Sequence, residues 1–135
     1  MQERTFPAII ASIPQVTAWI DGALEELGCS MKAQMQLDVA IDEIFGNIAQ
    51  YAYPGGEGSA AVRLEFDEAA RVFSVTFTDQ GIPFDPLSRE EPDTTLKAGE
   101  RKIGGLGIFL VKKTMDKMDY QYRDGCNVLR LEKRI

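Results

Sequence analysis

Residues 60–86 read AAVRLEFDEAARVFSVTFTDQGIPFDP, and this stretch decides the architecture. Val62, Leu64 and Phe66 alternate with Ala61, Arg63 and Glu65, the period-two pattern of a strand with one buried and one wetted face. Phe73, Val75 and Phe77 repeat the pattern over residues 72–78, with only residues 67–71 between the two runs. A second strand pair, about 118–123 and 127–133, turns at Asp124-Gly125, a strong hairpin signal.

Working outward, residues 3–11 also read as a strand, placed at a sheet edge because Pro7 removes a backbone donor. Ser12 is positioned to cap a helix carrying Val16, Ile20, Ala23, Leu24 and Leu27 at helical spacing, with Gly28 as its stop. Ser30 starts a second helix that runs to about Tyr51, ahead of the breaker Tyr53-Pro54-Gly55-Gly56. A third helix is predicted from about Leu106 to Lys117. Residues 80–103 have no clear period and hold three prolines and Gly99, as a functional lid or a disordered segment would. Strands outnumber crossover helices and include hairpins. The expected fold is therefore α/β (α+β): one domain over residues 1–135, a two-layer sandwich of a mixed, mostly antiparallel sheet with helices on one face.

Composition narrows the function. A chain of 135 residues with 27% charged and 44% apolar side chains is sized for one soluble core. There is no run approaching a membrane span and no secretory signal pattern at the start, so a cytoplasmic protein is expected. Two cysteines, Cys29 and Cys126, lack metal-ligand spacing, and the lack of histidine excludes a Ser-His-Asp triad or histidine phosphotransfer on this chain. A net charge of −6 argues against direct nucleic-acid binding. The charge is uneven: residues 1–95 hold 5 basic and 16 acidic side chains, whereas residues 96–117 hold 6 basic and 2 acidic. Lys97, Arg101, Lys102, Lys112, Lys113 and Lys117 thus surround a glycine cluster, as a solvated helix face or a polyphosphate site would have it.

Three separated segments carry chemistry. In the second helix Leu37, Ile41, Ile44 and Ile48 form an apolar stripe, and Glu43 and Asn47 share one flank of it at the border of core and solvent. An amide oxygen at Asn47 suits magnesium, which prefers oxygen ligands and shares them with phosphates. Glu43 is placed to accept a proton from a hydroxyl. Next, Asp79 and Gly81 close a strand: a plain turn would explain the pair, and so would an acceptor for a base amine beside bare backbone, with Phe84 packing near the base. Last, Gly104-Gly105-Leu106-Gly107 opens a helix, where unpartnered amides and the positive end of the dipole favour phosphate. It is neither a P-loop nor a good dinucleotide fingerprint.

Together these pieces resemble the ATP site of the GHKL (Bergerat-fold) ATPases and, more narrowly, the small bacterial anti-sigma factor serine/threonine protein kinases. The N-box is similar to residues 42–54, DEIFGNIAQYAYP; the first glycine box to residues 79–86, DQGIPFDP; the second to residues 104–111, GGLGIFLV. The resemblance spans about residues 5–133. It implies ATP and Mg2+ as ligands, with Asn47 on the metal, Glu43 as catalytic base, and Asp79 and Gly81 on adenine. It also implies Gly105 and Gly107 at the phosphates, with Gly104, Leu106, Lys97 and Arg101 among the nucleotide contacts, and a lid from about residue 86 to 103. Relatives phosphorylate a serine on a small anti-sigma-factor antagonist protein, many sequester a sigma factor, and they are typically homodimers. Tyr51 departs from the family, standing where many relatives have histidine, and the chain shows no sensor or phosphoacceptor-histidine domain. The resemblance leaves two functional readings, a kinase and a non-catalytic ATP-binding switch that sequesters a partner; a nucleotide-free structural domain is a third. Phe6, Ile9 and Ile13 are candidates for core or dimer interface.

Overall fold

A computed structural model describes residues 2–88 and 105–135. The expected lid falls almost wholly outside the described residues, as do Lys97, Arg101 and Gly104. Five strands, β1 (Gln2–Pro7), β2 (Ser59–Asp67), β3 (Val72–Asp79), β4 (Lys117–Arg123) and β5 (Cys126–Arg134), form one sheet in the order β1-β2-β3-β5-β4. All four pairings are antiparallel, so the mixed character allowed by the sequence is not found among the described strands. Pro7 does lie on an edge strand, opposite Ser59.

Register explains the layers. Val62, Phe77 and Leu129 face one another across three strands, as do Leu64, Val75 and Leu131, and all six are buried. The intervening rows, such as Arg63, Thr76 and Arg130, point to the other face, where Arg130 pairs with Glu65 and Glu132. Such exposed pairs are worth roughly 0–1 kcal/mol, so the buried rows hold the sheet.

Three helices cover the apolar face: α1 (Ile13–Glu26), α2 (Met31–Asn47) and α3 (Gly105–Thr114). Val16, Ile20 and Leu24 of α1, Leu37, Ile41 and Ile44 of α2, and Ile108 and Val111 of α3 are buried at helical spacing. Ser30 caps α2 through a 3.2 Å bond accepted from the Ala33 amide. Ser12 does not cap α1. It is helical itself (φ −77°, ψ −20°) and makes no side-chain cap, because a 3-10 turn at Ile10–Ser12 already leads into the helix and Pro14 presets the first turn. The same turn ends β1 at Pro7 rather than at residue 11. Phe6 joins the core, and Ile13 packs against it, while Ile9 remains 51% exposed. α3 stops at Thr114, three residues short of the expected end, since Asp116 already donates its amide to Glu132 as the chain enters β4. Asp124 (φ 56°) and Gly125 (φ 77°) make the β4–β5 turn with both central residues left-handed, as a two-residue hairpin requires.

Candidate functional site

The end of α2 sets the site's geometry. After Asn47 the helix widens into a π-helical turn, Ile48–Ala52, a feature frequent at functional sites. This turn delivers the Ala52 carbonyl to the loop after β3, where it accepts the Ile82 amide at 2.9 Å. A side chain at position 81 would collide with the Ala52 backbone, so the bareness of Gly81 is required by this protein contact before any ligand is considered. Tyr53 ties down the same loop: its hydroxyl donates to the Ser59 carbonyl at 2.6 Å and accepts the Gln80 amide at 2.8 Å.

Asn47 and Asp79 line one apolar cleft together with Ile44, Phe77, Phe84 and Tyr120. The cleft encloses ≈ 30 Å³ and opens to solvent at its mouth. Asn47 is only 6% exposed, deeper than the border position read from the helix pattern. Its Nδ2 is buried without a hydrogen-bond partner, and Oδ1 accepts none among the described residues. A buried amide left this way costs about 1–3 kcal/mol unless a ligand meets it. Oδ1 of that amide suits a magnesium ion taking its other ligands from water and phosphate, whereas Nδ2 can only donate.

Asp79, 5% exposed, uses only one carboxylate oxygen. Its Oδ1 accepts the Gly81 amide and the Asn127 side-chain amide, each at 2.9 Å, and Oδ2 takes no hydrogen bond among the described residues. Asp79 is thus the turn former and also holds an acceptor in reserve. Phe84 lines the cleft and stacks on Tyr51, ring centroids 5.8 Å apart, with Tyr51 itself outside the lining.

Glu43 projects from α2 against the first turn of α3. A Cβ at Gly107 would fall on the Glu43 carboxylate, so the glycine is what lets the two helices bring that group to the α3 start. Burial, and secondarily the charge of Asp42, raise the Glu43 pKa above the ordinary glutamate value, toward that of a useful base. Gly105, Leu106 and Gly107 form the first turn of α3, whose leading amides have no partner within the helix.

Two residues of the cleft, Asn127 and Tyr120, were not found in the sequence. Both sit in alternating strands with nothing to mark them; only the register that sets Asn127 opposite Asp79 reveals the first. The basic stretch is partly absorbed by structure. Lys112 donates to the Leu87 carbonyl at 3.1 Å, Lys113 lies 5.2 Å from the Phe109 ring centroid, and Lys117 pairs with Asp119.

The two-layer sandwich thus holds a cleft between helices and sheet with Asn47 and Asp79 in its lining, while Glu43 and the start of α3 meet outside that lining. The chain belongs to the histidine kinase-like ATPase domain family, which matches residues 6–133. It is 30% identical over 102 residues to the serine/threonine-protein kinase BtrW of Bordetella bronchiseptica, covering 76% of this chain and 71% of that protein. It is 28% identical over 114 residues to the serine-protein kinase RsbW of Listeria innocua (82% and 72% covered), and 26% over 131 residues to RsbW of Bacillus pumilus (93% and 81%). No helix among the described residues is long and apolar enough to cross a membrane.

Proposed function

We propose that this chain is an ATP-dependent serine/threonine protein kinase and anti-sigma regulatory factor that phosphorylates a small anti-sigma-factor antagonist protein. The observation that carries the reading is the Glu43 carboxylate, raised in pKa and held against Gly107, one helical turn from the unpartnered amide of Asn47. Similarity to serine kinases over most of the chain supports it.

In this reading Asp79 accepts the exocyclic amine of adenine through Oδ2, with Gly81 and Phe84 beside the base. Asn47 offers its amide oxygen to Mg2+, and the first amides of α3, with Gly104, Lys97 and Arg101, meet the phosphates. Magnesium, when bound, supplies positive charge that offsets charge gathering on the transferring group. Glu43 takes the proton of the substrate serine. The serine oxygen forms its bond to the γ-phosphorus as the bond from that phosphorus to the β-γ bridging oxygen breaks, giving phosphoserine and ADP. A sigma factor is the second partner, and the protein acts as a cytoplasmic homodimer.

The test is transfer of γ-labelled phosphate from Mg-ATP to a small anti-sigma-factor antagonist domain. The reading expects labelled serine. Tight ATP binding without labelling would instead make the chain a binding switch that sequesters its partner.

A further inference from the structure

Asn127 uses every hydrogen-bonding position of its side-chain amide inside the protein. Nδ2 donates to Asp79 Oδ1 at 2.9 Å and to the Ile82 carbonyl at 2.8 Å, while Oδ1 accepts the Phe84 amide at 3.0 Å and the Tyr120 hydroxyl. It is 6% exposed. The orientation of such an amide is ordinarily an assignment, but two backbone groups fix it here. The Phe84 N–H can only donate and the Ile82 carbonyl can only accept, so the oxygen must face the first and the nitrogen the second. Consequently Asp79 always meets a donor at Oδ1. The Gly81 amide donates to the same oxygen, so Oδ1 is committed within the protein and Oδ2 is left to the cleft.

We infer that Asn127, held by Tyr120, is the positioning residue that sets base specificity: it holds Asp79 by Oδ1 and so aims the remaining oxygen at the base, which admits a 6-amino purine and rejects a 6-oxo one. The inference deepens the proposed ATP-binding role and rests on it. An amino edge donates to Oδ2, whereas a 6-oxo edge sets a carbonyl oxygen against a carboxylate with no proton between them. Sites built on a specific hydrogen bond reject the mismatched analogue strongly, because a buried polar group is then left unpaired.

The experiment measures equilibrium binding of ATP and ITP, which differ at the purine 6-position, to the full chain by calorimetry. Wild type is expected to prefer ATP by a factor of about 100 or more. Asn127→Asp sets a carboxylate oxygen against Asp79 Oδ1 and the Ile82 carbonyl, both of which Nδ2 had served as donor, so the contact that aims Asp79 is lost. Its ATP-to-ITP preference should fall at least about tenfold, measured on protein whose circular dichroism matches wild type. Tyr120→Phe removes one hydroxyl and is the second variant should Asn127→Asp not fold; its preference should fall about threefold. A folded variant with the wild-type ratio overturns the inference while leaving the ATP-binding role intact. Wild type that binds neither nucleotide overturns both.

Discussion

The carboxylate of Glu43 occupies the space in which a side chain at residue 107 would begin. The neighbour is the far end of a flexible side chain, so an intruding methyl can push it aside without opening the helix packing. Gly107→Ala should therefore fold. Alanine also favours a helix by up to about 1 kcal/mol over glycine, so the melting temperature should hold or rise slightly. Phosphate transfer should nonetheless drop at least about tenfold as the carboxylate proposed as base is displaced. Thermal melts paired with single-turnover transfer would check both halves; undiminished transfer would detach Glu43 from the chemistry.

Gly81 offers the contrasting case. Its neighbour is the Ala52 backbone, which cannot step aside. Gly81→Ala should cost about 1–3 kcal/mol through overpacking and weaken ATP binding by shifting the loop that carries Phe84. Gly22→Ala on α1 is the control, since nothing lies within 4 Å of its added methyl; it should stabilise by about 0.5–1 kcal/mol. Urea titrations of the three proteins would show the order, and a neutral Gly81→Ala would mean that Ala52 readily gives way.

Glu43→Gln should leave ATP affinity within about twofold while transfer falls by about 100-fold or more, the usual range for losing a general base. The pH profile carries a second check. A base works ionised, so transfer should rise with pH through a midpoint above the ordinary glutamate range, because burial and the Asp42 charge raise this group. Asp42→Asn removes the lesser cause and should move that midpoint down. A midpoint that stays put would assign the profile to another group.

How much of this was legible beforehand depends on whether a residue's role is local. The α2 stripe of Leu37, Ile41 and Ile44, the helix start at Ser30 and the Asp124-Gly125 turn are local patterns, and each stands in the structure as read. Ser12 misled because a serine before an apolar helix looks the same whether it caps or sits inside a preceding 3-10 turn. Asn127 and Tyr120 were invisible for a different reason. Their partners, Asp79 and Phe84, lie 48 and 36 residues away, and only strand register brings them together. Gly81 was legible as a necessary glycine, but its nearest constraint is Ala52, a residue whose small size gives no signal.

Asp38 on α2 and Asp21 on α1 each keep Oδ1 buried without a hydrogen-bond partner. Burial first, then the adjacent Asp21 carboxyl, push Asp38 up to about 7. An unfolded aspartate titrates near 3.9, so between about pH 4 and 7 the folded chain holds a proton that the unfolded chain has released. Stability then falls as pH rises across that window: the contribution of the neutral form is fully present below about pH 4 and lost above about 7. Asn at this position keeps a donor toward Asp21 at every pH. Asp38→Asn should therefore match wild type near pH 5 and exceed it by about 1 kcal/mol at pH 8, a figure kept small because the pair is partly exposed and screened. Urea unfolding at pH 5, 6.5 and 8 would decide the matter, since a variant whose stability falls with pH as steeply as wild type would place the titrating proton elsewhere.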